Sequence, residues 1–420
     1  MYLLRYHGGA GRGGEAMTLE HYVEVGKKRL RCGYTTGTCA AAAAQACGQA
    51  LLAGGFPHSL RIDTPAGVAV VVEPEETHRG TDAQGAPWAS CGVRKDAGDD
   101  ADATDGALVV VRVNLMDTPG TTIEGGAGVG RVTRAGLDQP VGAAAINSVP
   151  RVMIASELER VAREHGWQGG FAVEVSVPGG EEIARKTFNP RLGIEGGISI
   201  LGTSGIVRPM SEEALVESIR LEMRMRRVQG LRDLVLVPGN YGQDWAQDRE
   251  GINPTHIVSC SNFLGEALDY AGVLGFETLV LVGHMGKLAK VATGAMNTHS
   301  RVADGRAEAF AAHAALAGAG RDDIARLMEC ATTDEALEVL AGHDPGEAAI
   351  SDERERLLAA TLQSLTQAIA RHVSRRGDPV RCEVVVFSKA WGELGRSSGA
   401  RELLDRHRVH GTAARKEDRI

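Results

Sequence analysis

The chain has 420 residues, 43% hydrophobic and 24% charged, the composition of a globular protein with room for two or three domains. With 54 acidic against 46 basic residues its formal charge is −8, which disfavours a general binder of nucleic acid or of an anionic membrane. Glycine stands out at 54 residues without a collagen period, so tight loops and close backbone approaches are expected.

Seven cysteines, an odd number with no CxxC, argue against a disulfide framework or a zinc ribbon and for a reducing compartment. The opening MYLLRYHGGAGRGGEA has too short an apolar run for a secretory signal, and residues 39–53 are too short and too often interrupted to span a bilayer. A cytoplasmic protein without a membrane segment is expected. Residues 1–29 read as an N-terminal extension, with Met17 an alternative start.

The elements then follow in order. A Gly/Thr loop precedes a helix over 38–52, with Thr38 as its cap and Gly54-Gly55 as its stop. Residues 59–74 read as a hairpin turning at Pro65-Ala66-Gly67. Strands near 88–94 and 107–114 flank an acidic stretch, KDAGDDADATDG, expected to be a solvated loop. A Gly-rich segment, a helix over 152–165 and a strand over 171–177 complete an α+β domain spanning 30–208. The texture then changes. A helix over 211–229 leads into short, continuous apolar strands at 234–237, 256–259 and 278–283, alternating with helices and with a loop PGNYGQ. Such strands suit a parallel sheet buried on both faces. Residues 303–375 read as helical and 382–388 as a last strand of the same sheet. The fold class is therefore α/β in two domains, an N-terminal α+β domain and a C-terminal Rossmann-like parallel-sheet domain over 209–398, followed by a charged, fraying tail over 399–420.

Several familiar motifs fail on inspection. The segment 124–130, EGGAGVG, fits the E-x-G-x-G-x-G loop of Rossmann methyltransferases, but Gly136 and Pro140 follow where a helix should; a glycine-rich turn is the plainer reading. The segment 283–287, GHMGK, has too few residues between its glycines for a P-loop, and Leu288 stands where a magnesium-holding hydroxyl belongs. The acidic run at 96–105 has Asp105 where an EF-hand needs glycine.

Four stretches remain as ligand sites. The loop at 33–38 offers backbone N–H groups, the hydroxyls of Tyr34, Thr35, Thr36 and Thr38, and a helix start, which suits a carboxylate or phosphate; a capped helix is the bland alternative. The loops at the carboxyl ends of the parallel strands would form a cofactor crevice from Gly239 and Asn240, Ser261 and Asn262, and Gly283 and Gly286. His284 in that crevice is either a structural hydrogen-bonder or an acid/base. The run 297–306 gathers His299 and Asp304 with two arginines, a base with an orienting carboxylate or else a cap with surface ion pairs. The stretch 193–205, carrying Glu195, Gly197, Ser199, Thr203 and Ser204, joins the domains and would line a cleft between them.

At these same places the chain resembles a known family. GYTTGTCAAAAA (33–44), GGAGVGRVTRAGL (125–137), NPRLGIEGGISILGTSGIVRPMSEEA (189–214), VPGNYGQ (237–243), SNFLGEALDYA (261–271), VGHMGKLAKVATG (282–294) and NTHSRVADGR (297–306) are similar to the CbiD family of cobalt-precorrin-5B C1-methyltransferases. The likeness runs from about Leu30 to Arg306. It implies methyl transfer from S-adenosylmethionine to C1 of a cobalt-corrin precursor, giving cobalt-precorrin-6A and S-adenosylhomocysteine. Cobalt would come only within the substrate, so no protein-bound metal is implied.

The resemblance supplies no catalytic residue, so His284, His299 and Asp304 are catalytic candidates on chemistry alone. The substrate's carboxylates call for cations, and Arg131, Arg134, Arg151, Arg185, Lys186, Arg191 and Arg208 supply them. The adenosine would sit in the second-domain crevice and the macrocycle between domains. A small-molecule corrinoid partner is implied, without nucleic acid or membrane, and homo-oligomerisation stays open. Two other readings are a nucleotide-dependent ligase or kinase using the Gly/Thr loop for phosphate, and a non-catalytic tetrapyrrole carrier.

Overall fold

The computed structural model describes residues 19–342 and 351–409, apart from Gly26, Gln84 and Arg191. The alternative start at Met17, the cation expected at Arg191 and the last part of the charged tail lie outside the described residues. The chain is mixed α/β with parallel-strand segments and divides into two compact units, Met1–Ser211 and Glu212–Ile420.

Among its described residues the first unit carries a five-stranded sheet, in the order Glu75–Thr81, Pro87–Arg94, Leu108–Met116, Gly170–Ser176, Gly120–Gly125. Neighbours are antiparallel except the last pair, which is parallel. Along Leu108–Met116 the buried Val109, Val111 and Val113 alternate with less buried residues, the pattern of a sheet with one face on the core. The helices Thr36–Leu52 and Ser148–His165 pack together, the first of them also against the central strands. Thr36–Leu52 is buried almost all round, and its run Ala40–Ala44 explains why: only small side chains let a helix lie between a sheet and a second helix. The hairpin forms as expected, with Leu60–Asp63 antiparallel to Ala69–Val72 and Gly67 at φ +72°.

One expectation fails in this unit and a second is refined. The helix cap is Thr35, not Thr38; the Thr35 hydroxyl accepts from the Thr38 N–H. The acidic stretch is a loop with Asp99 and Asp105 exposed, but its carboxylates are tied down and not free in solvent. Lys95 is buried and its ammonium meets Asp102, Asp96 pairs with Arg31, Asp99 accepts from the Arg31 N–H at 2.6 Å, and Asp105 accepts from the Ala97 N–H at 2.8 Å. Burial pushes the Asp102 carboxyl up, but the Lys95 ammonium outweighs it and holds it below its ordinary range. The sequence showed the aspartates but not that one neighbouring lysine and one distant arginine would consume them.

In the second unit the strand order is Ile257–Ser259, Asp233–Val237, Thr278–His284, Arg381–Ser388, Gly392–Arg396. The first four run parallel and the last is antiparallel. Both faces are covered. Leu234, Leu236, Leu279, Leu281, Val384 and Val386 enter one core with helices that include Leu264–Val273, Met285–Ala292 and Asp352–Gly377. Val235, Val237, Val280, Val282, Val385 and Phe387 enter the other, with Ala246, Ala400, Leu403 and Leu404. Trp245 stacks on Phe387 there, ring centroids 4.3 Å apart.

Two more expectations are corrected. The segment taken as the loop PGNYGQ begins a helix, Asn240–Asp248. The start of the tail does not fray: Ala400–Asp405 is a helix that buries Ala400, Leu403 and Leu404 on the sheet. Their i, i+3, i+4 spacing marked that stripe, but the surrounding charges concealed it.

The tail is locked by His407, 2% exposed, whose Nδ1 lies 3.1 Å from the Nδ1 of His256. Burial, the facing His256 and Arg406 push the His407 imidazole down to about 4, with Asp233 opposing; burial and Arg226 also lower His256. A depressed histidine leaves the folded state with fewer protons than the unfolded one. The contribution is full above about pH 6.5 and is lost as pH falls toward about 4, at up to about 1.4 kcal/mol per pH unit for each proton. Thermal unfolding followed from pH 7.5 to 5 should show a falling midpoint in the wild type and a flatter profile in His407→Leu. Equal slopes would remove the histidine pair as the cause.

Candidate functional site

The parallel strands of the second unit bring their carboxyl ends to one edge. Asp233–Val237 has Ile257–Ser259 on one side and Thr278–His284 on the other, so the loops diverge there, the place where open α/β sheets bind ligands. Lys287, in the helix after the central strand, ties them: its Nζ donates to the carbonyls of Pro238 at 2.6 Å and Ser261 at 3.3 Å. Ser261 holds φ at +52°, rare for a non-glycine, which aims its carbonyl at the lysine. Burial pushes the Lys287 ammonium below its usual range.

The six cofactor candidates therefore divide. Gly239 sits at φ +119°, with Lys287 Nζ 3.6 Å from where a Cβ would stand. Asn240 is exposed at the start of its helix. Ser261 and Asn262 are half-buried, and Asn262 accepts from Thr298 through both its backbone and its side-chain oxygen. Gly283 is a packing residue, since a Cβ would meet Leu288 at 2.9 Å and Pro238 at 3.0 Å. The Gly286 N–H is taken by His284.

His284 ends the central strand and caps the next helix; its Nδ1 accepts from the Gly286 N–H at 3.0 Å. The neutral ring therefore carries its proton on Nε2, an assignment made from this hydrogen bond. Burial lowers its pKa, with Asp334 opposing and Lys389 assisting, so it is a neutral imidazole at pH 7. Around it stand Tyr241, ring centroids 6.1 Å apart, and Phe387 at 5.6 Å. Lys389 Nζ lies 3.4 Å above the Tyr241 ring centre, and Asp334 accepts from the Ser388 hydroxyl at 2.8 Å. Lys287, Tyr241, Asp334, Ser388 and Lys389 were missed as site residues. The first two lay inside stretches already singled out, and Ser388 and Lys389 close the last strand. Asp334 lies at the start of a distant helix and gave no signal.

His299 and Asp304 do not form a dyad. The Asp304 carboxylate binds Arg306 at two 2.8 Å contacts and starts the helix Arg306–Leu316, while His299 Nδ1 accepts from the Arg301 N–H at 3.1 Å. An adjacent arginine reaches the carboxylate before a histidine five positions back can turn to it. Lys290, also buried, donates to the Thr298 carbonyl, and Thr298 bonds Asn262, so the 297–299 turn joins the crevice loops.

The first unit corrects the anion site expected at 33–38. Tyr34, Thr35, Thr36 and Thr38 are buried. The Tyr34 hydroxyl donates to the Arg94 carbonyl, and burial pushes its pKa up. The Gly37 N–H donates to the Leu201 carbonyl at 3.1 Å, the Thr35 N–H to that of Gly205 at 3.1 Å, and the Thr38 hydroxyl to that of Gly205 at 2.7 Å. Thr36 Oγ1 accepts from the Leu201 N–H at 3.0 Å. The Gly/Thr loop and the stretch at 193–205 are thus each other's ligand. Ser199 and Gly197 are buried with it, and the Ser204 hydroxyl donates to Ile206. Of that stretch's five candidates, only Thr203 and Glu195 are exposed, with Arg131, which opposes Glu195 across a strand pair, and Arg134 beside them on the 131–134 segment. Arg151 is spent on the carbonyls of Ile146 and Ile123.

The glycines of the failed methyltransferase motif serve backbone packing. A Cβ on Gly128 would lie 1.9 Å from the Val177 carbonyl oxygen, and one on Gly126 2.2 Å from Ser176 Oγ. Among the described residues no group of three or more His, Cys, Asp or Glu side chains could hold a metal ion, and no helix is long and apolar enough to cross a membrane.

Loops gathered at the edge of a parallel sheet, with the His284 imidazole and the Lys287 ammonium among them, mark a mixed α/β protein of the kind that binds small ligands at such an edge. Residues 23–209 match the CbiD family model and residues 297–398 the model of the CbiD C-terminal domain. The chain is 44% identical over 397 residues, 94% of its length and 96% of the relative's, to a cobalt-precorrin-5B C(1)-methyltransferase of Ruminiclostridium cellulolyticum. It is 47% identical over 322 residues, 77% of its length and 86% of the relative's, to a protein of the same name from Thermoanaerobacter sp.. A crystal structure of the cobalamin biosynthesis protein cbiD from Archaeoglobus fulgidus matches 67% of this chain and 86% of that one, at 30% identity and a TM-score of 0.35. The chain belongs to the CbiD family.

The interlock of the first unit makes Gly202 a sensitive position. It holds φ at +133°, and a Cβ there would lie 2.2 Å from Thr35 Oγ1. Gly202→Ala should lower stability by about 1–3 kcal/mol, read as a drop in thermal midpoint. An unchanged midpoint would show that the two loops do not depend on each other.

Proposed function

We propose that this chain methylates C1 of cobalt-precorrin-5B with S-adenosylmethionine as donor, giving cobalt-precorrin-6A and S-adenosylhomocysteine in corrin-ring synthesis in the cytoplasm. The observation that carries this is the 44% identity over 94% of the chain to a relative named for that reaction. The second unit serves, in this reading, as a Rossmann-like donor domain, supported by the parallel order of its strands and the divergence of its loops beside Asp233–Val237. The residues present fit such a donor: a half-buried ammonium at Lys287, an exposed aromatic ring at Tyr241, and the polar loops at Gly239, Asn240, Ser261 and Asn262. The donor supplies a methyl group already activated on sulfonium.

The protein's work is then alignment and the exclusion of water. Exposed Arg131 and Arg134 are suited to the carboxylates of a corrin, as separate guanidinium groups that donate to paired oxygens. His284 offers an Nε2–H beside the edge, with its Nδ1 lone pair already taken by the Gly286 N–H, so it can donate a hydrogen bond to the substrate. His299, with the same tautomer, is the second such group.

Incubation with S-adenosylmethionine and cobalt-precorrin-5B should raise the corrinoid mass by one methylene, with S-adenosylhomocysteine formed in step. Corrinoid binding without mass gain would end the enzyme reading in favour of a carrier. Asparagine also caps helices, so His284→Asn should keep the fold and the donor affinity while lowering turnover about 100-fold. Undiminished turnover would remove His284 from the reaction.

A further inference from the structure

Lys287 presents an ammonium that no carboxylate answers among the described residues. Its two partners are the neutral carbonyls of Pro238 and Ser261, and an ammonium carries three donors, so one N–H remains uncommitted. The side chain is half-buried, and the nearest influences on its charge are Cys260 and a second cation, Lys290. Lys290 does not share the work, being buried with its own Nζ on the Thr298 carbonyl.

The surroundings add positive potential. The helix Asn240–Asp248 starts at Gly239 without a side-chain cap and without an acidic residue in its first turn. Its start touches the lysine, since a Cβ at Gly239 would be 3.6 Å from Nζ. The helix carrying Lys287 likewise has no acid in its first turn. A cation held against the positive end of a helix is a repulsive arrangement, and a half-buried one has also lost water. A negatively charged ligand resolves both costs at once. One uncommitted N–H and one unshared charge suit a monoanion rather than a phosphate chain, and Leu288 stands where a nucleotide-binding loop would need a hydroxyl.

The geometry points to Lys287 as the residue that binds the α-carboxylate of the methyl donor's amino-acid end, with the uncapped start of Asn240–Asp248 completing the seat. This rests on the donor being S-adenosylmethionine. It makes Lys287 a reader of the intact amino acid, and the two carbonyls become the struts that hold its ammonium in place.

The test is calorimetric titration of the full chain with S-adenosylmethionine and with its decarboxylated analogue, which keeps the adenosine, sulfonium and amine. The wild type should bind the intact donor at least about tenfold tighter. Lys287→Met should bind the two equally, through weaker binding of the intact donor and equal or tighter binding of the more cationic analogue. Opposite changes of that kind do not follow from a collapsed crevice, which would weaken both ligands together. Lys287→Gln, which keeps a donor for the carbonyls, gives the same readout should the methionine variant not fold. A variant that keeps the wild-type preference, or loses both ligands by the same factor, would overturn the assignment. A wild type that binds neither ligand would instead overturn the donor reading on which it rests.

Discussion

Every α-helix begins with backbone N–H groups that its own turns cannot satisfy, and how each start is met organises this molecule. In the first unit the chain answers itself. Thr35 caps Thr36–Leu52, the Leu201 carbonyl takes the Gly37 N–H, and the Thr36 hydroxyl returns a bond to Leu201. Residues far apart in sequence thereby fix the entry to the most buried helix of that unit, and the sheet packs against the result. In the second unit the answer is uneven. His284 meets the start of Met285–Ala292 with its ring, while Asn240–Asp248 starts on a bare glycine beside a lysine. Of these two starts at the crevice, one is closed by a side chain and the other is left open.

This contrast also sorts what could be read from sequence. Short apolar strands such as Leu234–Val237 announced a sheet buried on both faces, because no other arrangement hides a continuous run of β-branched residues and leucines. The hairpin at Pro65-Ala66-Gly67 was equally legible, its turn residues having few alternatives. Loops were harder. Gly, Thr and Ser at 33–38 and 193–205 look the same whether they cradle a ligand or each other, and only the tertiary pairing separates the cases. The same ambiguity hid the helix at Asn240–Asp248, whose first residues carry turn chemistry. His299 and Asp304 were close enough in sequence to suggest a pair, but Arg306 competes for the carboxylate with shorter reach and full charge.

Charge is handled locally in both units. The acids at 96–105 are engaged by Arg31, Lys95 and backbone N–H groups. Of these groups the Lys95 ammonium is the buried one, so loss of Asp102 would leave it without its carboxylate, and the pair enforces one arrangement of the loop. At the sheet edge Lys287 and Lys389, the latter over the Tyr241 ring, have no carboxylate partner among the described residues.

The helix Ala400–Asp405 has a consequence for how the protein is made. Synthesis proceeds from the N-terminus, so the first unit has all its strands and helices available well before the second is finished. The second cannot close in the same way. Its strand Arg381–Ser388 must find Thr278–His284 across an intervening helical region, and Ala400, Leu403 and Leu404 arrive later still. Until they leave the ribosome, the face formed by Val235, Val280 and Val385 is without part of its cover. The nascent chain therefore carries an apolar sheet face partly uncovered until Ala400–Asp405 has been made and has docked on it.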